Sequence, residues 1–251
     1  MDRNEAVLRE LNLYPQWVRR DVPAPVAASQ EAQAPRHVVL PEPAQAVIEA
    51  SKPLSPIPSP INVRGELSSL DWPQLKAMVR DCTACKLRAG CTQTVFGVGD
   101  EQAEWLFVGE GPCADEDAQG EPFVGQAGNL LDNMLLAIKL RRGKNVYIAN
   151  VVKCRPPNNR APAADEIATC LPYLQRQIEL IKPKLIVALG KTASTALLGK
   201  DVPLGSLRGK LHDYNGIPLI VTYHPAYLLR SPMEKAKAWQ DLCLAVNTMA
   251  G

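Results

Sequence analysis

Three stretches of the chain place polar, acidic or imidazole side chains at the ends of apolar runs, where they could do chemistry. The first is Gly109-Glu110-Gly111-Pro112, followed by Asp115-Glu116-Asp117 and then Gly120 to Gly128, with Phe123 between Pro122 and Gly125. A Gly-rich turn after a strand is where open α/β sheets bind ligands. Its amides and carboxylates can surround a small polar group, and the Phe123 ring can stack on a planar one. The second is Asn150, inside the apolar run Val146 to Val152 and ahead of Lys153-Cys154-Arg155-Pro156-Pro157. A buried amide needs partners, and its adjacent donor and acceptor suit the edge of a pyrimidine. The third is His224-Pro225-Ala226-Tyr227-Leu228-Leu229-Arg230, which puts an imidazole at the end of the last apolar run.

The cysteines suggest a second chemistry. Cys82-Thr83-Ala84-Cys85 can chelate one corner of a metal centre, and the separated Cys154 and Cys170 complete four ligands. The missing second Cys-x-x-Cys disfavours a zinc ribbon, so the spacing points to a [4Fe-4S] cluster ahead of zinc. An isolated cysteine is more often plain core, and Cys91, Cys113 and Cys243 are left with that reading.

The elements that position these residues read as a strand-helix alternation. Asp71 caps a helix with Pro73 in its first turn and Leu75, Met78, Val79 and Cys82 on one face. Trp105 to Val108, Val146 to Val152, Leu185 to Leu189 and Ile217 to Tyr223 read as strands. Helices are predicted through Leu130 to Ile138, from about Asp165 to Ile181, after Gly190, and from Ser231-Pro232-Met233-Glu234 onward. Asn215-Gly216 marks a hairpin. The predicted fold class is α/β, a three-layer α/β/α sandwich around a central, mainly parallel sheet of about four strands.

Composition sets the limits. The chain has 251 residues, 46% hydrophobic and 22% charged, with net charge +2 and seven cysteines. That excludes collagen, coiled coil and blanket electrostatic DNA binding, so a nucleic-acid role must rest on local residues. No run approaches the roughly 20 apolar residues of a membrane span, and no secretory leader is evident, so no membrane partner and a cytoplasmic location are expected. Nine of the 22 prolines fall between Val22 and Asn62. The organisation predicted is a short amphipathic head at 1–21, a Pro/Ala-rich disordered linker at 22–65, and one folded domain at 66–251. The head, with Leu, Tyr and Trp anchors, reads as either a frayed terminus or a docking peptide. Its run Leu11 to Arg20 is similar to the N-terminal peptide of a bacterial clamp-loader subunit, which makes a replication component the expected partner. A monomer is expected otherwise.

Together, Gly109 to Pro112 with Glu116-Asp117, Gly120 to Gly128, Asn150 to Pro157, His224 to Arg230 and the four cysteines closely resemble the family 4, iron-sulfur uracil-DNA glycosylases. The resemblance runs from about Leu75 to the C-terminus. It implies an enzyme of base excision repair that flips uracil out of single- or double-stranded DNA and hydrolyses its N-glycosidic bond, leaving an abasic site. It implies Gly109, Gly111, Phe123 and Asn150 as the uracil pocket, with Phe123 stacking on the base and Asn150 bonding its polar edge. His224 is the implied donor to the uracil carbonyl that gains charge, and Glu110 the group that positions water. Glu116 is implied near C5 of the base, excluding thymine. Leu228, Leu229 and Arg230 are implied to enter the duplex, apolar wedge first. Lys153, Arg155, Arg160, Lys191, Arg208 and Lys210 are candidates for phosphate contacts.

Several departures and rivals are visible. Cys113 stands where the family usually has Gly, and a Cβ at a positive φ would cost about 1–2 kcal/mol. Gly190-Lys191-Thr192 resembles the end of a phosphate-binding loop, but the Gly required five residues earlier is Leu185. Relatives that trap DNA covalently use a His after the Cys-Arg-Pro-Pro region; Asn158 to Pro162 contains none, so turnover is expected. The alternative function is a non-catalytic iron-sulfur DNA-binding or replication-associated module on the same fold.

Overall fold

Each central strand alternates its side chains between two separate cores, which is why all four read as unbroken apolar runs. The structure is a computed structural model and describes residues 67–250. The head and linker expected at 1–21 and 22–65 lie outside the described residues.

The sheet contains β1 (Val98–Gly99), β2 (Trp105–Gly109), β3 (Val146–Asn150), β4 (Leu185–Leu189), β5 (Leu211–Tyr214) and β6 (Ile217–Thr222). Their spatial order is β1-β3-β2-β4-β6-β5. β3, β2, β4 and β6 are mutually parallel, and β1 and β5 close the edges antiparallel. The expected four parallel strands are therefore present, with two short edge strands added. Asn215 (φ 51°) and Gly216 (φ 86°) make the hairpin turn, as the left-handed pair of such a turn requires.

On one face, Leu106, Val108, Tyr147, Ala149, Ile186, Ala188, Leu219 and Val221 pack in a core with Leu75 and Val79 of α1 (Trp72–Arg80). The same core takes Leu174 and Ile178 of α4 (Ala164–Ile181) and Ala193 and Leu197 of α5 (Lys191–Leu198). On the other, Trp105, Phe107, Val146, Ile148, Val187, Leu189 and Ile220 meet Leu131 and Leu135 of α3 (Gln126–Ala137) and Ala245 of α8 (Lys235–Ala250). This is the three-layer arrangement. Removing one fully buried ring from it, such as Phe107, costs about 3–5 kcal/mol.

Three local outcomes differ from expectation. The acidic stretch after Pro112, expected as part of a Gly-rich turn, is a helix, α2 (Ala114–Gln119), with its carboxylates in the first turn and Gly120 (φ 80°) ending it. Acidic side chains there meet the unpaired N–H groups of the helix start. His224 caps a further helix, α7 (Pro225–Arg230), and α6 (Leu204–Leu207) is a single turn. Strand β3 ends at Asn150, short of the expected Val152, although the Val151 and Val152 amides still donate to the Gly109 and Glu110 carbonyls of the neighbouring segment.

First crossovers from β2 run one way to β3 and then back past β2 to β4. That reversal opens a crevice at the carboxyl ends of the parallel strands.

Candidate active site and cysteine pocket

The crevice holds a cavity of about 430 Å3 lined by Glu110, Gly111, His224, Arg230, Lys191 and Arg160 among others. They arrive from the ends of all four parallel strands: Glu110 and Gly111 after β2, Arg160 after β3, Lys191 after β4, His224 and Arg230 after β6. Glu110 follows β2 and accepts a short hydrogen bond from the Thr192 hydroxyl at the start of α5. The Gly-Lys-Thr stretch thus orients a carboxylate instead of cradling phosphate, a role that its sequence did not disclose.

His224 begins α7, and its Nδ1 accepts the Ala226 amide at 3.2 Å. The ring proton therefore sits on Nε2. Burial, with the Arg230 charge adding to it, pulls the imidazole pKa down to about 4. The residue is a neutral hydrogen-bond donor at physiological pH, not an imidazolium.

Phe123 stacks on His224 with ring centroids 5.4 Å apart. Behind them, parallel pairing sets Gly109 beside Asn150. A Cβ at Gly109 would come within 2.4 Å of Asn150 Oδ1 and 2.6 Å of Phe123 Cζ, so only glycine lets these side chains meet there. Asn150 is 1% exposed, and neither amide atom has a hydrogen-bond partner among the described residues. Such a buried amide costs about 1–3 kcal/mol, which is tolerable where a ligand completes it.

Phe123 has φ 57°, a left-handed conformation unusual for an aromatic residue. Three contacts hold it there. Glu116 Oε1 accepts the Phe123 amide at 2.8 Å, and Arg142 donates to the carbonyls of Pro122 and Phe123, each at 2.8 Å. Gly128 leaves room for the Phe123 carbonyl, which a Cβ would approach to 1.7 Å. Arg142, itself paired with Asp132 at 3.0 Å, was missed by sequence reasoning because an exposed basic pair after a helix carries no pattern.

Several expected site residues have other positions. Glu116 is buried, and its oxygens accept the backbone amides of Phe123 and Cys113. Its carboxylate is committed to shaping the loop, and burial raises its pKa. Leu228 is 1% exposed and cannot enter DNA as a wedge; its helix turns it toward α3 and α8. Leu229, 40% exposed, and Arg230 remain available. Lys153 is buried, with Nζ donating to the Asn150 carbonyl at 2.9 Å and to Gln177 Oε1 at 2.6 Å, so it reaches no phosphate. Arg208 is paired with buried Asp241 at 2.7 Å and is likewise withdrawn. Cys113 has φ −93°, in which a Cβ is unstrained, so the concern raised by its replacing Gly does not apply.

The four cysteines Cys82, Cys85, Cys154 and Cys170 line a second, smaller pocket with Val79, Leu87 and Tyr173. The Tyr173 hydroxyl donates to Cys82 Sγ at 3.3 Å, and the Lys153 amide to Cys170 Sγ at 3.2 Å. Burial pushes the Cys170 thiol up to about 11 and raises Cys85 and Cys154; the Cys91 thiol, hydrogen-bonded to Cys154, adds to the latter. Among the described residues no three His, Cys, Asp or Glu side chains stand in ready ligand geometry. The donor chemistry nevertheless fits: four sulfurs, no carboxylate or imidazole, and an apolar wall that disfavours thiolates unless positive charge joins them.

The family model for the uracil DNA glycosylase superfamily matches residues 96–243, which hold the cavity and the sheet. The chain belongs to this superfamily. Within it, the chain is 49% identical over 155 residues to a type-4 uracil-DNA glycosylase of Thermotoga maritima, covering 61% of this chain and 80% of that protein. The type-4 uracil-DNA glycosylase of Pyrobaculum aerophilum is 40% identical over 185 residues, covering 70% of this chain and 93% of the relative. That of Archaeoglobus fulgidus is 44% identical over 171 residues, covering 65% and 85%. A type-5 uracil-DNA glycosylase of Pyrobaculum aerophilum is also similar, 32% identical over 146 residues, covering 52% of this chain and 64% of that protein. No described helix is long and apolar enough to cross a membrane.

Proposed function

We propose that this chain is a uracil-DNA glycosylase of base excision repair, which hydrolyses the bond between uracil and deoxyribose in DNA. The observation that carries the reading is the buried, unpartnered Asn150 amide beside Phe123 and His224 at the sheet's carboxyl edge. A pyrimidine's polar edge satisfies both amide atoms, and a flat base matches the ring.

Because the glycosidic bond is inaccessible in the stack, the nucleotide rotates out at a cost of a few kcal/mol. Arg230, exposed at the cavity mouth, holds a flanking phosphate, and the exposed side chains of Lys191 and Arg160, paired in the free protein with Asp201 and Glu166, are within reach of others. As the C1′–N1 bond breaks, its electron pair passes to the uracil ring and gathers on the carbonyl oxygen. Neutral His224 donates Nε2–H to that oxygen, an interaction worth about 3 kcal/mol in a dry site. Glu110, oriented by Thr192, positions the water that adds to C1′, and the water's proton leaves toward the carboxylate. Uracil and an abasic site are the products.

Cys82, Cys85, Cys154 and Cys170 would hold a [4Fe-4S] cluster, in preference to zinc. When bound it supplies metal–thiolate bonds that tie the segment after β3 to α4 and to the stretch after α1, a bracing role. Cytoplasmic location, action as a monomer on single- or double-stranded DNA, and a replication partner for residues 1–21 complete the reading.

Release of uracil from a labelled oligonucleotide with one deoxyuridine, against a thymidine control and with iron-loaded protein, tests it. Release at uracil alone is expected. DNA binding without release would overturn it in favour of the non-catalytic module.

A further inference from the structure

Tyr227 lines the mouth of the cavity with His224 and Arg230, and 37% of it is exposed. It is not loose. Its ring stacks on Tyr223 with centroids 5.0 Å apart and planes 28° apart. Below Tyr223 lies the Arg208 guanidinium, 4.2 Å from that ring's centroid. Arg208 is in turn locked by Asp241, which is 1% exposed and also accepts the Gly209 amide at 3.1 Å. A cation, a ring and a second, partly exposed ring are therefore in successive contact from buried Asp241 to the mouth of the cavity beside the proposed uracil site.

We propose that Tyr227 is a stacking platform for the DNA base adjacent to the flipped uracil, in single-stranded or locally unpaired DNA. Three features select a nucleobase as the occupant. The platform is one ring wide, which fits a single base. It borders a cavity in which the exposed Arg230 suits a phosphate beside that base, with Arg160 and Lys191, paired to Glu166 and Asp201, adding positive charge to the rim. The successive contacts hold the ring in place before DNA arrives, so little side-chain freedom is lost on stacking. The proposal rests on the uracil-pocket reading for its position, and it gives the protein a means of favouring unpaired substrate through a neighbouring base.

The test uses the full, iron-loaded chain and a single-stranded oligonucleotide carrying one 2′-fluoro-2′-deoxyuridine, which resists hydrolysis. Each neighbour of that nucleotide is replaced in turn by a tetrahydrofuran abasic spacer. Tyr227→Ala should weaken binding about tenfold, and Tyr227→Phe should stay within about twofold. For the unmodified protein the spacer at one neighbour should also weaken binding about tenfold, and for Tyr227→Ala it should cost nothing further. Unchanged affinity in Tyr227→Ala, or an equal spacer effect in both proteins, overturns the platform. Uracil release by the unmodified protein from an ordinary deoxyuridine oligonucleotide is measured beside it. Its absence, with the coupling intact, sinks the glycosylase reading and leaves the platform standing; release without coupling does the reverse.

Discussion

The cavity at the strand ends and the four-cysteine pocket share one short segment, yet they are built differently. Asn150 lies buried beside the first and Cys154 lines the second, with Val151-Val152-Lys153 between them. The cavity's groups are set by hydrogen bonds to the protein itself: Thr192 on Glu110, Ala226 on His224, Glu116 and Arg142 on the Phe123 backbone. The cysteines are gathered with fewer such bonds, Tyr173 on Cys82 and the Lys153 amide on Cys170, and among the described residues they do not stand in ready ligand geometry. Polar loops at a sheet edge can be preorganised by the chain alone. Thiols in an apolar pocket need a metal to set their charge and angles. Lys153 joins the two, its ammonium on the Asn150 carbonyl and its amide on Cys170.

Replacing groups in each region sharpens this contrast. The largest effect is expected from Asn150→Ala, which should lower uracil release at least about 100-fold, read as kcat/KM on a deoxyuridine oligonucleotide. Its melting temperature should hold or rise, because the substitution removes an amide that has no partner. A fall in stability equal to the loss of activity would mean that the amide is structural. Cys154→Ser should do the opposite, losing iron by absorbance and lowering the melting temperature; intact stability without iron would break the bracing role.

A smaller effect is expected where the cavity's scaffolding is touched. Arg142→Ala should reduce release about tenfold, and in a Phe123→Ala background it should cost almost nothing more. Full additivity of the two would show that Arg142 does not act through Phe123.

The pH behaviour of His224 gives a further check. Its folded pKa of about 4 lies below the ordinary 6.5, so the unfolded chain binds more protons between those values. The associated stability is complete above about pH 6.5 and is lost as pH falls toward 4. Imidazole NMR should find His224 neutral with the proton on Nε2 at pH 6; a titration midpoint near 6.5 would remove the neutral donor from the mechanism. The smallest effect belongs to Cys113→Gly, expected to change stability and release by less than about 0.5 kcal/mol because φ is −93° there.

Much of this was legible in the residues. Apolar runs bounded by Gly, Pro and Asn marked the parallel strands and the hairpin, because strand burial on two faces leaves an unmistakable composition. Glu110, Asn150 and His224 were placed from their positions at strand ends, which chain order in an α/β fold sends to one edge, and Phe123, in the loop between α2 and α3, from family resemblance. The structure does bring these four together.

What the sequence by itself determined is the alternation of elements and the identity of the chemical groups. These depend on local periodicity and on side-chain type. Only the tertiary structure decided which groups are free to act. It withdrew Lys153, Arg208 and Leu228 into the interior and committed Glu116 to the loop backbone. It also brought Arg142, Thr192 and Tyr227 to the site from other elements. The reason is physical: a charge or a ring becomes a ligand, a brace or a core group according to its neighbours from distant segments, and no local pattern carries that information.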